Sequence, residues 1–313
     1  MKLGMIKSNF PNERRIPLLP EDIRDFENEL LIETGFGEFM DIADTDYEQA
    51  GCRIMSREEI FSRADGIFSL KLIQPTDYAL IRPGQIIIGW THPLGSGKPF
   101  MEEQAYPKDL VVVDLDNRFP QIFYHDKMIR ADWIPANAVY QNSFYAGFAG
   151  VLHAFLSYGL IPDDNTRVAI LGSGNVAQGA FHGVSKFTSN VKLYYRRTLP
   201  DFEKKAPSYD MIINGIEVGS WGKPIMTKAQ QKTLKKGAFV IDVAADAGNA
   251  IEGTRFTTLD EPIYKEDGVY YFVVPNTPAL AYRNVSKVLS RQFSKYIFKK
   301  SIAVFKEVAH DNL

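Results

Sequence analysis

Residues 168–180 read "VAILGSGNVAQGA". A branched apolar run enters Gly172, Gly174 and Ala177 at the spacing G-x-G-x-x-A, and a helical stretch follows. The first glycine permits a tight turn. The second lets a pyrophosphate approach the backbone, and the small third residue lets helix and strand pack closely. Ser173, Asn175 and Val176 fill the loop, whose amides stand at a helix start and would face phosphate oxygens. The spacing alone is a weak signal, but the strand before it, the helix after it and a second strand about 20 residues on supply the context it needs. That second strand, "VKLYYRRT" over 191–198, ends in Arg196 and Arg197. An acidic residue normally stands there and bonds the ribose 2′-hydroxyl of NAD. No acid occurs from Lys192 to Pro200. Guanidinium forks match phosphate oxygens, so Arg196 and Arg197, with Thr198, are expected to hold the 2′-phosphate of NADP(H). Two solvated charges at a strand end are the plain alternative, and the adjoining fingerprint decides against it.

Further polar residues stand where strands end. "PNERRIP" carries Arg14 and Arg15, "GIFSLKL" ends near Lys71, and "QIIIGWT" runs into His92. Later, "AFVIDVAADAGN" leads to Asp246 and "YYFVVPN" to Asn276. Parallel sheets bind ligands beyond the carboxyl ends of their strands, so these residues are expected to converge on one cleft between two domains. Each has a bland reading as a surface charge, a structural histidine or turn chemistry. Lys71 is the least bland, because a lysine late in an apolar strand is costly unless it reaches a polar edge. A guanidinium or ammonium binds a carboxylate, and histidine moves protons near neutral pH. The residues alone predict an NADP-linked oxidoreductase acting on a small carboxylate. No H-E-x-x-H, C-x-x-C or acidic cluster suggests a metal.

The elements that must position these groups alternate along the chain. "KLGMIK", "ELLIET", "GIFSLKL", "QIIIGWT" and "DLVVVDLD" read as strands, with helical or turn segments such as "PEDIRDFEN" and "REEIFSRA" between them. Residues 117–140 break the rhythm with a hairpin and an irregular connection. A long apolar helix over about 143–159 leads into "RVAILGSG", "VKLYY", "MIINGI", "AFVIDVA" and "YYFVVPN", and a helix or a broken helical pair follows residue 283. The pattern predicts an α/β protein with two Rossmann-like domains and mostly parallel sheets. At 313 residues both domains have room for a core. A net charge of −2 gives no case for nucleic acid or an anionic membrane. The one cysteine, Cys52, reads as a small buried hydrophobe. Nothing resembles a signal-peptide core, and no stretch nears the ~20 apolar residues of a membrane span, so a soluble cytoplasmic protein is expected.

In order, "ERRIPLLP", "SLKLIQP", "GWTHP", "LGSGNVAQGA", "IDVAADAGNAIEG" and "VVPNTP" resemble the alanine dehydrogenase and saccharopine dehydrogenase family over nearly the whole chain. The similarity is closest to a short branch that condenses pyruvate reductively with the side-chain amine of ornithine. The resemblance implies that Arg15 binds the pyruvate carboxylate, that Lys71 and His92 lie over the keto oxygen, that Asp246 lies near the nicotinamide and that Asn276 lines the cleft. Lys71, His92 and Asp246 would be the catalytic set. It also implies a substrate domain built from residues 1–140 and 281–313, an NADP-binding domain over 141–280, and a homo-oligomer. Two departures matter. Alanine dehydrogenases have K-x-K-E-P where this chain has "KLIQP", so Ile73 replaces their second lysine and Lys71 would serve from two residues back on the same strand face. The arginines of "YYRR" replace an acid, and the short stretch before "YDMIING" implies a trimmed cofactor domain. The rival expectations are an alanine dehydrogenase using ammonia and NADH, a relative using 2-oxoglutarate, and a nucleotide-binding regulator without chemistry. Lysine in place of ornithine stays open.

Overall fold

The near-continuous apolar runs form strands buried on both faces, as parallel sheets covered by helices require. In the computed structural model, which describes residues 1–116, 118–220 and 222–311, the chain divides into two units. One is Met1–Val139 together with the chain from Tyr282, and the other is Tyr140–Ala281.

Among the described residues, the first unit carries β1 (Lys2–Ile6), β2 (Glu29–Glu33), β3 (Arg53–Met55), β4 (Gly66–Lys71), β5 (Ile86–Trp90), β6 (Val111–Asp114), β7 (Gln121–Tyr124) and β8 (Lys127–Arg130). They make one sheet in the order β3-β2-β1-β4-β5-β6-β7-β8. The first six run parallel and the final hairpin is antiparallel. One face packs Ile6, Leu31, Ile67, Ile87 and Val112 against Ile60 and Phe61 of the helix Arg57–Arg63. That helix begins at Ser56, whose hydroxyl caps the Glu59 N–H while the Glu59 carboxylate accepts from the Ser56 N–H. The helix Tyr282–Phe293, a π-turn Ser294–Phe298 and the helix Ala303–Asp311 return to this unit. Phe293 and Phe298 pack edge-on against Phe68 at 5.3 and 4.9 Å. "PEDIRDFEN" forms only a 3-10 turn, Pro20–Asp22. The segment just before it is instead tied to the returning helix: the Ile16 and Leu19 N–H groups donate to the buried Ser286 and Ser290 hydroxyls, both at 2.8 Å.

The second unit opens with the helix Tyr140–Tyr158. Then come β9 (Val168–Leu171), β10 (Val191–Tyr194), β11 (Met211–Asn214) and β12 (Phe239–Asp242), a short pair β13 (Ala247–Gly248) and β14 (Ile251–Glu252), and β15 (Ile263–Glu266) with β16 (Val269–Phe272). The main sheet runs β10-β9-β11-β12-β16-β15, parallel except for β15. β10 is an edge, and only a seven-residue helix, Leu199–Lys205, and two 3-10 turns connect it to β11. The helices Tyr140–Tyr158 and Asn175–Val184 cross closely through glycine. A methyl on Gly147 would lie 1.8 Å from the Val176 carbonyl oxygen, and one on Gly179 would lie 1.8 Å from that of Phe144.

Candidate functional site

In the first unit Lys71 ends β4, and His92 and Arg15 lie in the chain that follows the carboxyl ends of β5 and β1. Arg15 is 4% exposed. Its Nε donates to Glu13 Oε1 at 2.7 Å, and a second guanidinium nitrogen meets Glu13 Oε2. Burial pushes the Glu13 carboxyl upward, but the charge and hydrogen bonds of Arg15 outweigh it and hold the group below its usual value. The Arg15 guanidinium lies 4.9 Å from the centre of the Trp90 ring, and Lys71 Nζ lies 5.0 Å from that ring and 5.5 Å from that of Phe10. Burial first, and the nearby Arg15 charge second, lower the Lys71 pKa to about 8. Trp90 is itself buried, and its Nε1 has no hydrogen-bond partner among the described residues.

His92 follows β5 in a left-handed conformation, φ 46°. Its N–H and that of Thr91 both donate to the Asp114 carboxylate at the end of β6, at 3.3 and 3.0 Å. Burial raises the Asp114 pKa, an effect those two N–H bonds partly offset. The imidazole Nδ1 lies 3.3 Å from Asp116 Oδ2, which orients the ring and leaves Nε2 for other contacts. A tight turn then closes on the His92 carbonyl, which accepts from the Gly95 and Gly97 N–H groups at 2.9 Å. Lys71, His92 and Trp90 line a concavity of about 380 Å³ whose other walls are Phe10, Leu72, Ile73, Gln74, Pro75, Tyr78 and Ser96. Arg57 braces the turn Pro75–Leu80, which supplies Pro75 and Tyr78. It donates to Asp77 through Nε and a terminal nitrogen at 3.0 and 2.8 Å, and to the Lys7 carbonyl at 3.1 Å.

In the second unit the fingerprint follows β9. Gly172 sits at φ +114°, where a side chain would be strained. Ala177 is fully buried, and a methyl on Gly215 would meet its backbone nitrogen at 2.8 Å. Ser173 and Gly174 are exposed, Asn175 and Val176 half-buried, and a Cβ on Gly174 would meet nothing within 4 Å. Gly174 caps the helix Asn175–Val184, so an open backbone surface lies where helix amides begin. Beyond β10, Arg196 and Arg197 are exposed and form no ion pair or hydrogen bond among the described residues. The Thr198 hydroxyl is engaged inside the same turn, accepting from the Tyr195 N–H at 2.9 Å. Arg196 also lines a concavity of about 460 Å³ with Leu199, Glu203, Ile216, Glu217, Val218, Lys223 and Ile225. The glycine backbone at the start of the helix Asn175–Val184 fits the pyrophosphate of a dinucleotide. Asp246 is buried. Its Oδ2 accepts from the Val218 and Gly219 N–H groups at 2.7 and 3.1 Å, and its Oδ1 accepts from the Asn249 amide at 2.8 Å. Asn276 stands in a left-handed conformation, φ 58°, beyond β16. Among the described residues no cluster of three or more histidine, cysteine or carboxylate side chains could hold a metal, and no helix is long and apolar enough to cross a membrane.

Sequence reasoning passed over Glu13, Trp90, Asp114 and Asp116. Glu13 stands two residues before Arg15 and Asp114 ends an apolar strand, and both positions were visible signals. Nothing in the sequence marks Trp90 as the ring beneath two cations.

Two families described as alanine dehydrogenase/PNT, N-terminal domain and C-terminal domain match residues 4–117 and 182–312. A solved L-alanine dehydrogenase superposes with a TM-score of 0.76 at 21% identity, covering 100% of this chain and 92% of that one. A transhydrogenase from Sinorhizobium meliloti superposes with a TM-score of 0.75 at 16% identity, covering 98% and 95%. The chain belongs to the alanine dehydrogenase/PNT family. Within it, the chain is 59% identical over 305 residues to the N(5)-(carboxyethyl)ornithine synthase of Lactococcus lactis subsp. lactis (strain IL1403), covering 97% of this chain and 98% of that protein. It is 52% identical over 308 residues to the enzyme of the same name from Clostridium botulinum (strain Hall / ATCC 3502 / NCTC 13319 / Type A), covering 98% and 97%. The resemblance read from the motifs thus holds at the level of both family and branch.

Proposed function

We propose that this chain catalyses the NADPH-dependent reductive condensation of pyruvate with the side-chain amine of ornithine or lysine, giving from ornithine N(5)-(1-carboxyethyl)ornithine. The observation that carries the reading is the placing of Arg15 and Lys71 against one buried indole. Glu13 already pairs with one of these two close cations, and a small carboxylate beside them would offset the second. Full-length relatives that carry the synthase name support the choice of substrates. The first unit is then the substrate domain and the second, with Arg196 and Arg197, the NADP-binding domain.

Arg15 holds the pyruvate carboxylate, with Glu13 fixing the direction of its fork. Lys71, protonated, polarises the keto oxygen. The neutral terminal amine attacks the carbonyl carbon, and His92 delivers a proton to the departing hydroxyl, so water leaves as the carbon–nitrogen double bond forms. When bound, the reduced nicotinamide supplies the hydride that converts this imine, still protonated on nitrogen, to a secondary amine. In the second unit Asp246 braces the Val218 and Gly219 backbone. Positioning and water exclusion supply much of the rate.

The test is NADPH oxidation with pyruvate and ornithine, lysine, ammonia or no amine, repeated with NADH. Turnover with a diamine and NADPH but not with ammonia is the expected result. Turnover with ammonia and NADH would make the chain an alanine dehydrogenase. NADPH binding without turnover in any mixture would make it a regulator. Arg196→Ser with Arg197→Ser should raise the KM for NADPH by roughly 10- to 100-fold and leave that for NADH little changed.

A further inference from the structure

The concavity that holds Lys71 and His92 is far larger than a three-carbon keto acid needs, and its remaining walls have a definite chemistry. Leu72, Ile73 and Pro75 give an apolar stretch beside Lys71, and Gln74, Tyr78 and Ser96 give polar atoms around it. No carboxylate lines it among the described residues. Gln74 is fixed: its amide donates to the Leu72 carbonyl at 2.8 Å, so Oε1 is held as an acceptor with no protein donor among the described residues. Gln74 also caps the 3-10 turn Pro75–Leu80, which Arg57 anchors through Asp77. Tyr78 is held by its edge-on contact with Phe100 at 5.7 Å, and its hydroxyl has no partner among the described residues. Ser96 rides on the turn that closes on the His92 carbonyl.

We propose that Gln74, Tyr78 and Ser96 form the subsite for the α-amino acid end of the amine substrate, an inference that rests on the condensation reading above. A zwitterionic end carries one ammonium and one carboxylate with no net charge. Gln74 Oε1 accepts from the ammonium, and the Tyr78 and Ser96 hydroxyls donate to the carboxylate. The apolar wall accommodates the methylenes between that end and the reacting amine.

The experiment measures KM for ornithine, lysine and putrescine at saturating NADPH and pyruvate, in wild type, Gln74→Ala, and Tyr78→Phe combined with Ser96→Ala. Both variants should raise the ornithine KM by at least about tenfold while the pyruvate KM stays within about threefold. Putrescine has neither the α-ammonium nor the carboxylate, so its KM should be high in wild type and insensitive to the changes. The double variant leaves the Gln74–Leu72 contact intact, which separates loss of binding from disturbance of the wall. An unchanged ornithine KM in both variants, or a pyruvate KM that rises in parallel, overturns the subsite while the condensation reading stands. Failure of the wild type to turn over any diamine overturns the condensation reading itself.

Discussion

Lys71 and Arg15 face one indole ring, and Glu13 is the carboxylate that makes their burial tolerable. Lys71 has a folded pKa of about 8, below its ordinary 10.5. Between those values the unfolded chain holds more proton, so stability rises as pH climbs through that window, and below it the charged ammonium is a full burden on folding. Lys71→Met should therefore melt at a higher temperature than wild type at pH 7, with the gap closing toward pH 10.5, while losing roughly 100-fold or more in kcat/KM. A thermal melt at the two pH values, with an assay beside it, checks both signs. If protonated Lys71 polarises the carbonyl, wild-type kcat/KM should fall above pH 8. Lys71→Arg, which cannot titrate there, should lose that limb. Glu13→Ala removes the carboxylate paired with a buried guanidinium and should cost about 3–5 kcal/mol in denaturant unfolding.

The elements act as mounts whose tolerances are set by backbone contacts. A methyl on Gly97 would lie 2.0 Å from the Thr91 carbonyl oxygen, so Gly97→Ala must shift the turn that carries His92. It should cost about 1–3 kcal/mol in stability and at least tenfold in kcat, with NADPH affinity unchanged. Gly147→Ala should do the reverse. It pushes on the helix that begins at the fingerprint, so fluorescence titration should show weaker NADPH binding. Much of this was legible beforehand. The apolar runs "IIIGW" and "VVVD", the hairpin after residue 117 and the broken helix after residue 283 all follow from periodicity and length. "PEDIRDFEN" was harder to read, because its propensity favours a helix while the Ser286 and Ser290 hydroxyls take the neighbouring backbone N–H groups and hold the segment as a 3-10 turn. At the site, Arg15, Lys71 and His92 stood out by type and position. Trp90 did not, because an aromatic at a strand end is usually core, and only the folded arrangement shows what lies above its ring.

At the scale of the whole molecule, the two units differ in how the chain supplies them. The second is continuous, with apolar clusters on both faces of its sheet. Residues 140–281 expressed alone should fold and retain NADPH, a result that calorimetry would establish. Residues 1–139 alone should not fold, because Phe68 and Trp90 would lose the cover of Phe293 and Phe298, and the Ile16 and Leu19 N–H groups their acceptors. The Ile16–Ser286 bond joins residues 270 positions apart. A ribosome therefore delivers the sheet of the first unit long before it delivers the helices that close it. While the middle of the chain matures, the nascent N-terminal segment must wait with one face of that sheet uncovered, which makes it the natural client of a holding chaperone and the part most prone to aggregate during synthesis.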